Sequence, residues 1–133
     1  MSISTETKAV IATIVPQCQR LAFLPKYFGA SLVMIEAEAQ VFRHLSSLCP
    51  EYQGAYWECY ELSNGGLYMA PRLPGALSLH VKGNGFSGAM SADAAGIVAT
   101  LFALSYLSFK YQDVSEGERC GDHYHRLREF ASE

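Results

Sequence analysis

Residues 83–88, GNGFSG, match the pattern G-x-G-x-x-G. Glycines at that spacing permit a tight turn, close approach of backbone to a pyrophosphate, and close packing of a helix on a strand. A strand-like run, ALSLHVK, precedes the match and a helix-like run, SADAAGIVATLFALSYLSF, follows it. The wider context does not suit a dinucleotide. The helix opens three residues past Gly88, at Ser91, and where an acidic residue should close a second parallel strand the chain is still helical. Gly83, Gly85 and Gly88 therefore read as a turn joining two short strands.

Other reactive side chains form no set. Cys18, Cys49, Cys59 and Cys120 are far apart, without a C-x-x-C pair, so zinc and dithiol chemistry are not indicated. His123 and His125 lie about 200° apart on a helix and cannot clasp one metal together. His44 and His80 have no carboxylate or thiol near them in sequence, and all four histidines read as surface or half-buried side chains. Cys59, used with Glu61 or His80, would make a small thiol or nucleotide hydrolase. A thiolate is favoured by positive surroundings, whereas the neighbours of Cys59 are two glutamates and two tyrosines. The expectation is no catalytic set, no metal and no cofactor.

Composition narrows the class. At 133 residues, half of them hydrophobic and 17% charged, the chain suits one domain with a proper core. The net charge of −3 comes from thirteen acidic and ten basic residues scattered along the sequence. That is neither the basic patch of a nucleic-acid binder nor the dense carboxylate array of a DNA mimic. Direct DNA binding would have to rest on a local patch of Arg20, Lys26 and Arg43. The start, MSISTETKAV, lacks a basic segment followed by an apolar one, and the uncharged run between Asp93 and Lys110 falls short of a bilayer span. The expectation is a cytoplasmic chain with free thiols and no membrane partner.

The elements that would position these residues follow from periodicity. TETKAVIATIV can form a short helix stopped by Pro16. RLAFLPKYFG reads as an apolar irregular segment lying on the core. From the N-cap residue Ser31, an amphipathic helix places Leu32, Ile35, Ala39, Phe42 and Leu45 inward and Glu36, Gln40 and Arg43 outward. A meander follows. AYWECYEL and GLYMAP flank SNGG, where Asn64 and Gly65 can take the positive φ of a tight hairpin. Pairing Leu62 with Leu67 sets Tyr60 beside Met69 on one face and Trp57, Cys59, Glu61 and Tyr68 on the other. LSLHVK alternates, with Leu77, Leu79 and Val81 inward. Ser91 caps a central apolar helix with Asp93 in its first turn. Ser115 and Glu118 fit a capping box for a last helix, on which Cys120, Tyr124, Leu127 and Phe130 form an apolar stripe. The fold class is α+β: one domain, residues 1–133, with a small antiparallel meander of three to four strands and about four helices.

Trp57, Glu61, Tyr68 and His80 would give the sheet an aromatic and carboxylate face suited to a protein partner, unless the segment FLPKYFG or the N-terminal helix covers it. At YWECYELSNGGLYMAP and SADAAGIVATLFALSYL the sequence resembles the plasmid-borne antirestriction proteins of the ArdB and KlcA family. The similarity extends to RLAFLPKYFG, LCPEY, GNGFSG and YHRLREFA. Cys59 and Leu67 stand where the family's YWEFYELSNGGFYMAP has phenylalanine, which weakens any role for the Cys59 thiol. The resemblance implies an α+β fold and a cytoplasmic, non-enzymatic role that lets incoming DNA escape type I restriction endonucleases. The leading expectation is an inhibitor whose partner is the type I restriction-modification enzyme or an associated host protein, with no sequence-specific nucleic-acid binding; the sequence leaves the oligomeric state open, a monomer being slightly favoured. Binding candidates are Trp57, Glu61, the hairpin residues Asn64 and Gly65, the loop residue Asn84, and Ser91 and Asp93 at the helix start. Turn formation or capping is an equally good account of the last five.

Overall fold

The segment before Pro16 is a strand and not a helix. The computed structural model describes residues 9–81 and 85–132, and β1 (Ala12–Ile14) pairs antiparallel with β2 (Trp57–Leu62), matching Ala12 to Leu62 and Ile14 to Tyr60. Ile11, Thr13, Ile14 and Val15 are β-branched, stiff at χ1 and poorly suited to a short helix, and the open edge of β2 supplies their partners. After a 3-10 turn at Gln17–Gln19, α1 runs Arg20–Phe28 through Pro25. The expectation of an irregular segment fails here. Proline at this position withdraws one hydrogen bond, to the carbonyl of Leu21, a residue 96% exposed, so the cost is limited. Burial of Phe23, Tyr27 and Phe28 holds the helix down.

Helix α2 (Leu32–Leu48) is capped by Ser31, whose hydroxyl accepts the Met34 N–H. Its buried face is Val33, Ala37, Gln40, Val41, Leu45 and Leu48, while Leu32 and Ile35 are exposed. The expected face is thus rotated, with Gln40 turned inward and Ala39 outward. Strand β3 (Leu67–Pro71) returns along β2 with Glu61 opposite Leu67, Tyr60 opposite Tyr68 and Cys59 opposite Met69. This register is one residue from the expected Leu62–Leu67 pairing. A three-residue turn, Ser63 to Gly65, closes the hairpin: Leu62 N–H donates to Gly66 O at 2.9 Å, and Gly65 alone takes positive φ, +92°. Tyr60 consequently stacks on Tyr68, ring centroids 4.6 Å apart, and does not sit beside Met69.

Strands β4 (Ala76–Val81) and β5 (Phe86–Ser91) form a separate two-stranded sheet, so the strands divide three and two where a single meander was expected. Of GNGFSG, Gly83 and Asn84 lie outside the described residues, Gly85 takes φ +73°, and Phe86, Ser87 and Gly88 already belong to β5, so Gly88 is a strand residue and not part of the expected turn. Leu77 and Leu79 are buried and His80 is exposed, in line with their alternation.

Helix α3 (Ala92–Lys110) is apolar and long enough to cross a membrane by length and composition. In the fold it packs against α2, α4 and the outer edge of β3. Thr100, buried within it, accepts the Met69 N–H at 3.2 Å and lies 3.3 Å from Met69 O and 2.8 Å from Gly96 O. The helix so covers a strand edge that would otherwise carry unpaired backbone groups. Gly96 makes this approach geometrically feasible, because a Cβ there would stand 2.4 Å from Met69 O and from Ala70 Cα. Helix α4 (Ser115–Ala131) buries Cys120, His123 and Leu127, with Tyr124 and Phe130 partly buried beside them. Its N-cap is Val114; Ser115 lies inside the first turn and bonds Glu116, so no capping box forms.

Candidate functional site

The β2–β3 hairpin is the platform for most of the expected site residues. Its tip lies down on α4: Asn64 Nδ2 donates to Arg126 O at 2.9 Å and to Glu129 Oε1 at 2.8 Å, while its Oδ1 accepts the Gly66 N–H at 2.9 Å. Asn64 thus acts through its amide and does not supply the positive φ expected of it. Gly65 is exposed at the bend, where Arg126 lies alongside it.

Below the tip, Glu61 leaves β2 toward α1. Its carboxylate accepts hydrogen bonds from Lys26 Nζ and from Tyr27 Oη, both at 2.8 Å, and these donors hold its pKa below the ordinary carboxylate value. Burial, together with the same carboxylate, pushes the Tyr27 hydroxyl well up. Lys26, Glu61 and Gly65 share a cleft of about 600 Å³ with Arg119, His123 and Arg126 of α4. His123 is 4% exposed, a correction to its reading as a surface or half-buried residue. Its Nε2–H donates to Tyr27 O at 2.8 Å, which leaves Nδ1 to accept from Arg126 at 3.5 Å. Burial lowers its pKa, with Arg126 and Arg119 acting in the same direction, so the imidazole is neutral.

Ser91 and Asp93 lie apart from this cleft, at the start of α3. Ser91 Oγ accepts the Ala94 N–H at 3.1 Å, and Asp93 accepts the Tyr68 hydroxyl at 2.8 Å. Tyr68 is 2% exposed and stacks between Tyr60 and Phe130. Asp93 therefore joins helix start to hairpin, and both Ser91 and Asp93 keep solvent-exposed surface.

Trp57 is buried, packed 4.8 Å from the Phe42 ring, with its indole N–H donating to Tyr52 Oη at 2.9 Å. The expected open face of Trp57, Glu61, Tyr68 and His80 does not exist: helices cover Trp57 and Tyr68, and His80 belongs to the other sheet. Asn84 lies outside the described residues. Cys59 is buried as well, and desolvation raises its pKa against the pull of Arg20, the reverse of what a nucleophilic thiol requires. Of the patch Arg20, Lys26 and Arg43, only Arg43 is exposed without a carboxylate in ion-pair contact among the described residues. Arg20 and Arg72 both pair with the buried Glu58 and both lie 4.9 Å from the Tyr56 ring, and Lys26 is tied to Glu61. Exposed His125 sits on another cleft, with Asp113, Glu118 and Asp122, and no cluster suited to a metal occurs among the described residues.

The sequence reading did not single out Arg119 and Arg126. Their spacing with His123, at i, i+4 and i+7, places all three on one face of α4, and that pattern was the available signal.

Two small antiparallel sheets, a central apolar helix locked to a strand edge, and a hairpin docked on the last helix define a small α+β protein. A family model described as antirestriction protein matches residues 50–133. Two KlcA antirestriction proteins of Escherichia coli are similar to the chain. One is 50% identical over 125 residues, covering 93% of this chain and 86% of the relative; the other is 49% identical over 130 residues, covering 98% and 91%. A solved chain from structural work on KlcA and ArdB superposes with a TM-score of 0.87 at 51% identity, covering 98% of this chain and 91% of that one. KlcA and ArdB are described there as showing a novel fold and antirestriction activity against type I DNA restriction systems in vivo but not in vitro. The chain belongs to the antirestriction protein family.

Proposed function

We propose that the protein lets incoming DNA escape host type I restriction endonucleases by contacting the restriction enzyme or a host protein associated with it, in the cytoplasm and without a reaction of its own. The observation that carries this reading is the match over 98% of the chain, at 51% identity, to a solved relative of that activity. The relatives' activity is seen in vivo but not in vitro, which favours a contact needing a host component that a purified reaction lacks. Charge supports protein contact over DNA binding, because Arg20, Lys26, Arg72 and Lys110 are each held by a carboxylate of the same chain. Glu61, Gly65, Ser91 and Asp93 keep accessible surface for such a contact, with Asn64 behind the hairpin tip and Asn84, between β4 and β5 in sequence, as further contact residues. Trp57 supports the fold from inside.

The test is the plating efficiency of unmodified phage on cells carrying a type I system, with and without the chain, and with a type II system as control. A rise confined to the type I cells is expected. No rise from soluble, folded protein would overturn the proposal.

A further inference from the structure

The cleft between α1, the hairpin tip and α4 holds two guanidiniums whose surroundings are unlike those of the other paired cations. Arg20 and Arg72 share Glu58, Lys26 has Glu61, and Lys110 has Glu36. Among the described residues, no carboxylate is in ion-pair contact with Arg119 or Arg126. Both side chains lie over glycine. A Cβ on Gly29 would meet Arg119 Nη1 at 3.5 Å, and one on Gly65 would meet Arg126 Nε at 3.7 Å. Gly66 admits the stem of Arg126, since a Cβ there would stand 2.9 Å from Arg126 Cβ. His123, between them on the same helix face, accepts from Arg126 through Nδ1 and adds no charge of its own.

Three cations (Lys26, Arg119, Arg126) and two carboxylates (Glu61, Asp122) line the cleft, a local charge of +1 on a chain of −3. Seven residues of helix separate the guanidiniums by about 10 Å along the axis. A planar guanidinium pairs with a carboxylate in a two-pronged geometry that an ammonium lacks. Side chains two residues apart on one face of an extended chain stand about 7 Å apart, a gap that two long arginine side chains can bridge by leaning toward one another. DNA fits less well, because a duplex carries a phosphate charge about every 1.7 Å of its axis and would bring many of them against Glu61 and Asp122 as well.

We propose that this cleft is a docking site for an acidic segment of a protein partner, with one carboxylate held by Arg119 and a second by Arg126. The proposal rests on the antirestriction reading for the identity of the partner's setting, but the binding chemistry can be tested without it. The measurement is fluorescence anisotropy of labelled hexaglutamate titrated with the full chain and with Arg119→Gln, Arg126→Gln and Arg128→Gln. Arg128 is exposed elsewhere on α4, and its replacement changes net charge equally. Losing one charge-assisted pair should weaken binding about tenfold for Arg119→Gln and Arg126→Gln, with Arg128→Gln unchanged. Absence of binding, equal weakening by Arg128→Gln, or stronger competition by a short DNA duplex or inorganic phosphate than by unlabelled hexaglutamate would each overturn the proposal. Should Arg126→Gln fail to fold, Arg119→Gln carries the comparison, since it leaves no internal partner behind. In the phage assay, protection by the wild type that survives in Arg119→Gln overturns the cleft while leaving the antirestriction reading intact. A wild type that fails to protect overturns that reading, and the hexaglutamate titration then decides the cleft.

Discussion

Replacing Gly96 by Ala separates helix propensity from close approach. In an exposed helix interior this change favours folding by about 1 kcal/mol. Here the new Cβ would stand 2.4 Å from Met69 O and Ala70 Cα, and 2.5 Å from Ala70 Cβ. Carbon atoms rest at about 3.5–4.0 Å, so α3 must retreat from β3 by about 1 Å. Thr100 sits one turn on and holds the Met69 N–H at 3.2 Å; that retreat carries it past the hydrogen-bond limit near 3.5 Å. Overpacking a core costs about 1–3 kcal/mol, and leaving a buried backbone N–H unmet costs about 1–3 kcal/mol. Against a gain of about 1 kcal/mol, the net destabilisation is about 1–5 kcal/mol, a fall in Tm of roughly 3–20 °C for a domain of this size. Gly121→Ala is the control within α4, where a Cβ would have only Ser108 Cβ at 3.9 Å, and it should raise Tm by about 2–4 °C. Thermal and urea unfolding followed by circular dichroism measure both. A Gly96→Ala protein as stable as the wild type would refute the seating of α3 on the edge of β3.

Three further outcomes follow from the same geometry. Trp57→Ala empties a buried site between Phe42 and Tyr52 and should cost about 3–5 kcal/mol in urea unfolding; a loss under about 0.5 kcal/mol would contradict its burial. Asn64→Ala removes three hydrogen bonds at a partly exposed tip and should cost about 1–2 kcal/mol, whereas unchanged stability with lost phage protection would assign Asn64 to the partner contact. His123 has a folded pKa below its unfolded value of about 6.5, so the unfolded chain takes up the proton first. Stability is then complete above pH of about 6.5 and declines as pH falls from there toward the folded value. His123→Gln keeps a donor for Tyr27 O and should flatten that decline in unfolding measured across pH 5 to 8; an unchanged slope would place the titration elsewhere. Glu36 and Glu61, also lowered, act in the lower window of the carboxylates.

What the sequence revealed and what it hid divide along a physical line. Local chemistry was legible: Ser31 and Ser91 cap their helices with their own hydroxyls, and Leu77 and Leu79 face inward by simple alternation. That GNGFSG is no nucleotide site was legible from its neighbours, and its second half, Phe86–Gly88, is strand. Partners distant in sequence were not legible. AVIATIV is rich in β-branched residues that favour a strand locally, but the partner that fixes it, the edge of β2, lies more than forty residues away. The hairpin register depended on whether the turn held three residues or four, and that single residue decided that Tyr60 meets Tyr68.

The same line explains the candidate site. Asn64 stood out because N-G marks a turn, yet its amide is committed to α4 sixty-two residues on. Trp57 stood out as a large aromatic on a strand, and α2 covers it through Phe42. Arg119 and Arg126 attracted no notice in a helix of mixed charge, where a cation is ordinarily matched by a neighbouring carboxylate. Only the fold shows that Asp122 and Glu129 do not pair with them, that they lie against Gly29 and Gly65, and that Gly66 leaves room for the stem of Arg126. Two guanidiniums on one helix face without a carboxylate of their own are what the proposed cleft would offer to a group from outside the chain.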